Sequence, residues 1–459
     1  MSENEERASF SGKVGFVLAA SASAVGLGNL WRFPYLTSHY GGGIFVIVYI
    51  ILAVTFGFSL LIAETALGRK TGKSCISAFG ELCSKYKWIG VLAALVPILI
   101  VPYYCVIGGW VTKWFAESAM GGLSTLASGG YWVSFVTGGE TGDMSDPTAW
   151  FLIFALLCVI CVAVGVERGI ERLSKFLMPL LLFMIIGITI YEFTLPNIWD
   201  GVVFYLNPDL SKLSAGTFMG AISQIFYSMS LAMGIMITYG SYMKKSVSIE
   251  KSARNVGVID TGVAFLAGLM IIPAAFAYEH PDDQSIGLMF TALPDVFATM
   301  PGGEIVAPIF YLLVLFAAMT SAVSLLETVV SVFVDLKAIK RNKSILISVA
   351  LVIVLGMMSV LGFGPLATNI PLLDGGAGWL GIFDTITNNF MMPIVALLTC
   401  IFIGYIIKVT VITDEVKADG NAFVSERLFE VMIKYVCPIF LALMLIVAVT
   451  ITFGIYSPY

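Results

Sequence analysis

Charge is what this chain has least of. Only 12% of its 459 residues are Asp, Glu, Lys or Arg, about half the share of an ordinary soluble domain. Histidine occurs twice, as His39 and His280. The seven cysteines (75, 83, 105, 158, 161, 400 and 437) show no zinc-type clustering. Most lie in apolar runs, where a buried reduced thiol is the expected state. No nucleophile elbow, phosphate-cradling loop or acid–base constellation is present, so an enzyme is not expected. The start, MSENEERASFSGK, is polar and acidic, without the basic n-region or small-residue cleavage site of a secretory signal. The first apolar run is therefore expected to persist as a membrane span. A net charge of −5 over this length says little about partners, and no nucleic-acid partner is expected.

What the chain has instead is apolar length. It is 58% hydrophobic, its mean hydropathy is +0.94, and runs of about 20 apolar residues recur, each long enough to cross a bilayer as a helix. The reading is an all-α polytopic membrane protein in the lipid bilayer, with eleven spans near 14–37, 41–68, 89–117, 149–166, 174–193, 217–242, 254–278, 304–334, 345–363, 381–407 and 429–455. The loops RKTGKS, VERGIERLSK, MKKSVSIEKSAR and DLKAIKRNK alternate with loops nearly free of Lys and Arg. With the N-terminus cytoplasmic, only Arg32, Lys113 and Lys212 of the 25 basic residues fall elsewhere. The positive-inside rule thus predicts a plasma-membrane protein with its N-terminus inside and, after eleven spans, its C-terminus outside. Residues 282–300 read as a short hairpin lid between spans 7 and 8.

Two spans are spoiled for lipid. Span 1 contains SASAVGLGNLWRFP, with serines, glycines, Asn29 and Arg32 in the middle of the run. Span 6 contains QIFYSMSLAMG, with Ser228, Ser230 and Gly234. Small residues also serve helix packing in membranes, which is the alternative for either span alone. Freed backbone groups are tolerated at membrane depth only where protein or water satisfies them, so a break between Ser23 and Gly28 must face a cavity. Spans 1 and 6 hold matching places in two five-span halves of opposite orientation, which points to a transporter binding site at mid-membrane. The halves are read as residues 1–193 and 194–410, followed by a loop and span 11 over 411–459.

The stretches AVGLGNLWRFP, GGGIFVIVYII and ETALGR closely resemble the signature of the neurotransmitter:sodium symporters. The likeness continues in PYYCVIGGW, QIFYSMSLAMG and AAMTSAVSLLE, and covers essentially ten spans. It implies two inverted five-helix repeats with helices 1 and 6 broken, and alternating access driven by sodium. Many bacterial members of this family lack a twelfth helix, in keeping with eleven spans here. By the resemblance, one sodium would take the Ala24 carbonyl, Asn29, Ser228, Asp260 and the substrate carboxylate. A second would take the carbonyls of Ala22, Val25 and Ala317 with the hydroxyls of Thr320 and Ser321. Sodium, a hard cation, should prefer such oxygen ligands. Hydroxyls like those of Thr320 and Ser321 also commonly bond their own preceding turn.

Asp260 is an intramembrane acid, and such residues are usually functional; pairing with Arg254 is the structural alternative. The family position matching Ala264 carries a serine or glutamate tied to chloride or its replacement. Ala264 can do neither, so Asp260 is expected to supply the negative charge and make transport chloride-independent. Gly26 stands where amine carriers have an aspartate, which favours a substrate that brings its own carboxylate. The resemblance places that carboxylate on N–H groups near Leu27 and Gly28 and on the Tyr104 hydroxyl. The α-amino group would meet carbonyls near Ala24 and Tyr227. Ile100, Tyr227, Ser230, Met233, Ser321 and Leu325 would form an uncharged side-chain pocket for neutral hydrophobic or aromatic L-amino acids. The gates would be Arg32 with Asp384 outside, and Arg7 with Asp335 and Tyr242 inside, with Phe10 plugging the inner end. A sensor on the same fold, or a transporter that moves protons through Asp260 or carries neutral osmolytes, is the alternative function.

Overall fold

The structure, a computed structural model, describes residues 9–277, 288–337, 339–368, 370 and 377–452. Arg7, residues 282–287 of the expected lid and the C-terminal GIYSPY lie outside the described residues.

Among the described residues the chain is helical, and a lone bridge between Gly42 and Pro208 is its one extended pairing. Nine helices among the described residues are long and apolar enough to cross a membrane. These are spans 2 (Gly43–Thr71), 3 (Ser84–Ala119), 4 (Ser145–Val164), 5 (Val166–Glu192), 7 (Ile249–Ala277), 8 (Gly303–Leu336), 9 (Arg341–Leu361), 10 (Gly378–Ile406) and 11 (Glu426–Thr450). Spans 3 and 8 are the most buried and form the centre, packed on each other; spans 4, 9 and 11 show most of their surface. Span 3 carries Pro97 and Pro102 within one helix.

Span 1 is broken. Lys13–Ala24 and Gly28–His39 meet at 48°. Val25 is extended, with φ −75° and ψ 100°, and Gly28–Arg32 resumes as a π-helical turn. The break is thus three residues, Val25 to Leu27, narrower than the predicted Ser23–Gly28. Span 6 is broken more deeply. Ala215–Ser228 and Ile235–Ser241 are separated by six residues in which Ser230, Ala232 and Gly234 all have positive φ, at 54°, 61° and 71°. For Ser and Ala that region costs of order 1 kcal/mol or more each and persists only where the surroundings impose it.

Two glycines lock span 2 to the second half of span 6. A Cβ on Gly68 would fall 1.8 Å from the Ile237 carbonyl oxygen, and one on Gly240 would fall 2.2 Å from the Thr65 carbonyl oxygen. Only glycine permits that approach.

The start of span 5 differs from expectation. VERGIE winds as a π-helical turn straight into Arg172–Glu192, so the helix begins well before the predicted residue 174. The described part of the expected lid is a π-helical turn, Leu288–Ala292, running into a short helix, Leu293–Thr299, with Pro294 in its first turn. Phe290 stacks on Trp132 with ring centres 4.7 Å apart and meets Trp114 edge-on.

Candidate functional site

The two breaks meet, and side chains from spans 2, 3 and 8, together with others of spans 1 and 6 themselves, satisfy the backbone they expose. Tyr104 of span 3 accepts from Leu27 N at 3.2 Å. Gln224 of span 6 donates to the Gly28 carbonyl at 2.8 Å. Ser321 of span 8 and Ser230 of span 6 both donate to the Ser23 carbonyl, at 2.9 and 3.1 Å. Glu64 of span 2 accepts from Ala232 N at 2.7 Å. Asn29 turns back to accept from Gly26 N at 3.1 Å. This is the accounting that a non-helical backbone in a membrane requires.

Beside the break in span 1 lies an oxygen-rich cluster. Asp260 is fully buried. Its carboxylate accepts from Ser228 Oγ at 2.7 and 2.8 Å, from Asn29 Nδ2 at 2.8 Å and from the Tyr49 hydroxyl at 3.4 Å. Arg254 makes no ion pair with it, so the structural alternative of an Asp260–Arg254 pair fails. One carboxylate, an amide and hydroxyls suit a hard monovalent cation. No group of three or more His, Cys, Asp and Glu side chains fit for a metal ion exists among the described residues, and a sodium site of this make-up needs none.

At the second expected sodium position, Thr320 bonds its own turn, donating to the carbonyls of Phe316 and Ala317 at 3.1 Å. Ser321 instead reaches across to span 1. Ala22, Val25 and Ala317 are buried on the same two helices.

A cavity of about 20 Å³ opens at the crossing. Its walls include Ala24, Gly28, Ile100, Tyr104, Tyr227, Ser230, Met233, Ser321 and Leu325 of the sequence-derived pocket, together with Ser23, Gly26 and Ile235. That volume is little more than the ~10–15 Å³ that a single water centre needs. Any larger solute requires the wall to yield, and Met233 is its most adaptable member. Ser228 and Leu27 are not on this wall. Ser228 faces Asp260, and Leu27 enters through its backbone N–H.

The gates are only partly as expected. Arg32 does not pair directly with Asp384. Its guanidinium donates to Ser223 at 2.7 Å and Gln224 at 3.5 Å, and lies 5.6 Å from the centre of the Tyr227 ring. Asp384 accepts from Tyr103 at 3.0 Å and from Asn388. At the other end Asp335 accepts from Ser74 N at 2.6 Å. Tyr242 bonds Ser331 and donates to Glu327 at 2.8 Å, and Glu327 is in turn ion-paired with Arg341. Phe10 is buried against Phe16, Tyr239 and Tyr242.

Glu64, Gln224, Tyr49 and Glu327 were missed by sequence reasoning. Glu64 and Glu327 carried a usable signal, since each is an acid inside an apolar run. Gln224 and Tyr49 carried none. Glu64→Ala leaves the Ala232 N–H buried and unpaired in a strained stretch. It should lower stability by about 1–3 kcal/mol, read as a fall in thermal midpoint of the detergent-purified protein, whereas Glu64→Gln should recover most of it.

Among the described residues, nine continuous apolar crossings and two broken ones that meet at one cavity beside an oxygen-rich cluster fit a secondary transporter. Comparison with known proteins gives the family. The chain matches the sodium:neurotransmitter symporter family over residues 7–136 and 131–458, and it belongs to that family. It is 34% identical over 415 residues to an uncharacterized sodium-dependent transporter of Bacillus subtilis, covering 89% of this chain and 90% of that one. A similar transporter of Haemophilus influenzae is 30% identical, covering 94% and 95%. The human sodium- and chloride-dependent GABA transporter 2 is 27% identical, covering 83% of this chain and 69% of its own length. The crystal structure of MhsT in complex with L-phenylalanine superposes with a TM-score of 0.87 at 33% identity, covering 96% of this chain and all of that one. The protein is therefore a multi-pass membrane transporter that uses sodium, and not an enzyme.

Proposed function

We propose that this chain takes up neutral hydrophobic or aromatic L-amino acids together with sodium, by alternating access and without chloride. The observation that carries the reading is the cavity at Gly26. The unwound backbone of span 1 and the Tyr104 hydroxyl meet there, the walls carry no charge, and the Asn29–Ser228–Asp260 cluster lies behind the wall on the far side of the break. A zwitterion fits this chemistry, its carboxylate toward Leu27, Gly28 and Tyr104 and its side chain toward Ile100, Met233 and Leu325. The phenylalanine bound by the MhsT structure is consistent with that class.

Two sodium ions are assigned. One lies at Ala24, Asn29, Ser228 and Asp260, where it shares the substrate carboxylate. The other lies at Ala22, Val25, Ala317, Thr320 and Ser321, with Thr320 turning from its own carbonyls to the ion. Shared ligands make each partner tighten the other, and such coupling is reciprocal. With the basic loops cytoplasmic, a membrane potential adds about 2.3 kcal/mol per charge per 100 mV to inward sodium movement. The inverted halves are residues 1–193 and 194–410, with 411–459 appended. Arg32 and Tyr227 close the outer side; Phe10, Tyr242, Asp335 and Arg7 close the inner.

Proteoliposomes with an imposed sodium gradient test this. Labelled phenylalanine should accumulate, equally well with gluconate in place of chloride. Uptake unchanged when choline replaces sodium overturns the coupling, and binding without accumulation makes the protein a sensor. Met233→Phe should narrow the range, weakening competition by tryptophan more than by leucine in the same assay.

A further inference from the structure

A second cavity lies on the outside of the bundle. Spans 2 and 7 diverge to leave a groove of about 700 Å³, lined by Ile50, Val54 and Phe58 on one side and by Gly257, Gly262 and Phe265 on the other. Its walls are apolar except for Thr261 and, at one end, Arg254. Arg254 is exposed and makes no hydrogen bond or ion pair among the described residues. The acid one turn before it, Glu250, is committed elsewhere. It accepts from Val424 N at 2.9 Å, and from Ser425 N and Oγ at 2.8 and 2.6 Å. An unpaired guanidinium thus tops an apolar trough, on the end of span 7 that also bears Lys251.

The dimensions and the charge together select an occupant. Arg254 to Phe265 is eleven residues of helix, about 16 Å at 1.5 Å per residue. Half of a ~30 Å hydrocarbon core is about 15 Å. We propose that the groove holds one acyl chain of an anionic phospholipid, with its phosphate on Arg254. Glycines 257 and 262 remove the side chains that would otherwise fill the trough. A Cβ at Gly262 meets nothing within 4 Å, and one at Gly257 touches only Met229 at 3.9 Å. Met229 opens the unwound stretch of span 6, and Asp260 sits on the inward face of the same turn of span 7. The lipid therefore backs the wall that carries the cation cluster.

The test uses the full-length protein, delipidated in detergent and titrated with palmitoyl-oleoyl phosphatidylglycerol or phosphatidylcholine, with bound lipid counted by native mass spectrometry. Wild type should prefer phosphatidylglycerol about fivefold, the worth of one basic contact near 1 kcal/mol. Arg254→Gln should erase the preference while retaining lipid. Gly262→Leu, which fills open space, should reduce retention of both lipids. An unchanged preference in Arg254→Gln overturns the phosphate contact. Unchanged retention in Gly262→Leu overturns the groove. Dimers in wild type that Gly262→Leu dissociates assign this face to a second copy of the chain and overturn the proposal as well.

Discussion

Asp260→Ala is expected to abolish sodium-dependent substrate binding. The carboxylate is the one charged group in its cluster, and it holds Ser228, Asn29 and Tyr49 in place. Removing one partner of a buried charge pair costs at least about 3 kcal/mol, so sodium affinity should fall on the order of 100-fold or more. Equilibrium binding of labelled phenylalanine against sodium concentration reads this. Asp260→Asn separates charge from shape. It keeps an oxygen for Asn29 but loses the negative charge, so any recovered binding should respond to chloride, as wild-type binding should not. Undiminished binding of the alanine variant in chloride-free buffer would reject the assigned role.

Gly26→Asp should be nearly as severe for a different reason. A Cβ there would sit 2.3 Å from Ser321 Oγ and 2.9 Å from the Tyr104 hydroxyl. Gly26→Ala alone therefore displaces the hydroxyl that holds the Ser23 carbonyl and crowds the one that accepts from Leu27. Overpacking of this kind costs about 1–3 kcal/mol, which corresponds to roughly a 10- to 100-fold loss in affinity. The aspartate adds an anion facing the substrate carboxylate. Comparing the two variants apportions the effects: alanine reports crowding, and the further loss in aspartate reports charge. Normal amino-acid uptake by Gly26→Asp would remove the basis for a carboxylate-bearing substrate. Thermal midpoints should fall by a similar amount in both variants, since Tyr104 and Ser321 are buried and bond the broken backbone of span 1 in each.

Much of this architecture could be read from the chain because lipid permits so few solutions. Apolar length located the spans, and glycine and serine in two apolar runs located the breaks. Their depth was less legible. Span 6 is held open over Met229–Gly234 with Ser230 and Ala232 in left-handed backbone, which residue type alone would not suggest. The imposing contact, Glu64 on Ala232 N, comes from a helix more than 160 residues away in sequence. Tyr49 and Gln224 look like ordinary members of apolar helices until the fold turns them to Asp260 and to the Gly28 carbonyl. The Arg32–Asp384 gate rests on the resemblance, through a loose match in span 10, and the structure shows no direct bond between the two. Tyr103 bonds Asp384, and Ser223 bonds Arg32.

The paired glycine contacts at Gly68 and Gly240 have a mechanical corollary. Neither helix can slide or roll on the other without driving a carbonyl into a backbone, so span 2 and Ile235–Ser241 form one lever. Glu64, a single turn along span 2 from Gly68, grips Ala232 next to Met233. A tilt of this lever cannot leave the pocket floor behind, so under the alternating access proposed above its stroke would be geared directly to the residues that line the cavity.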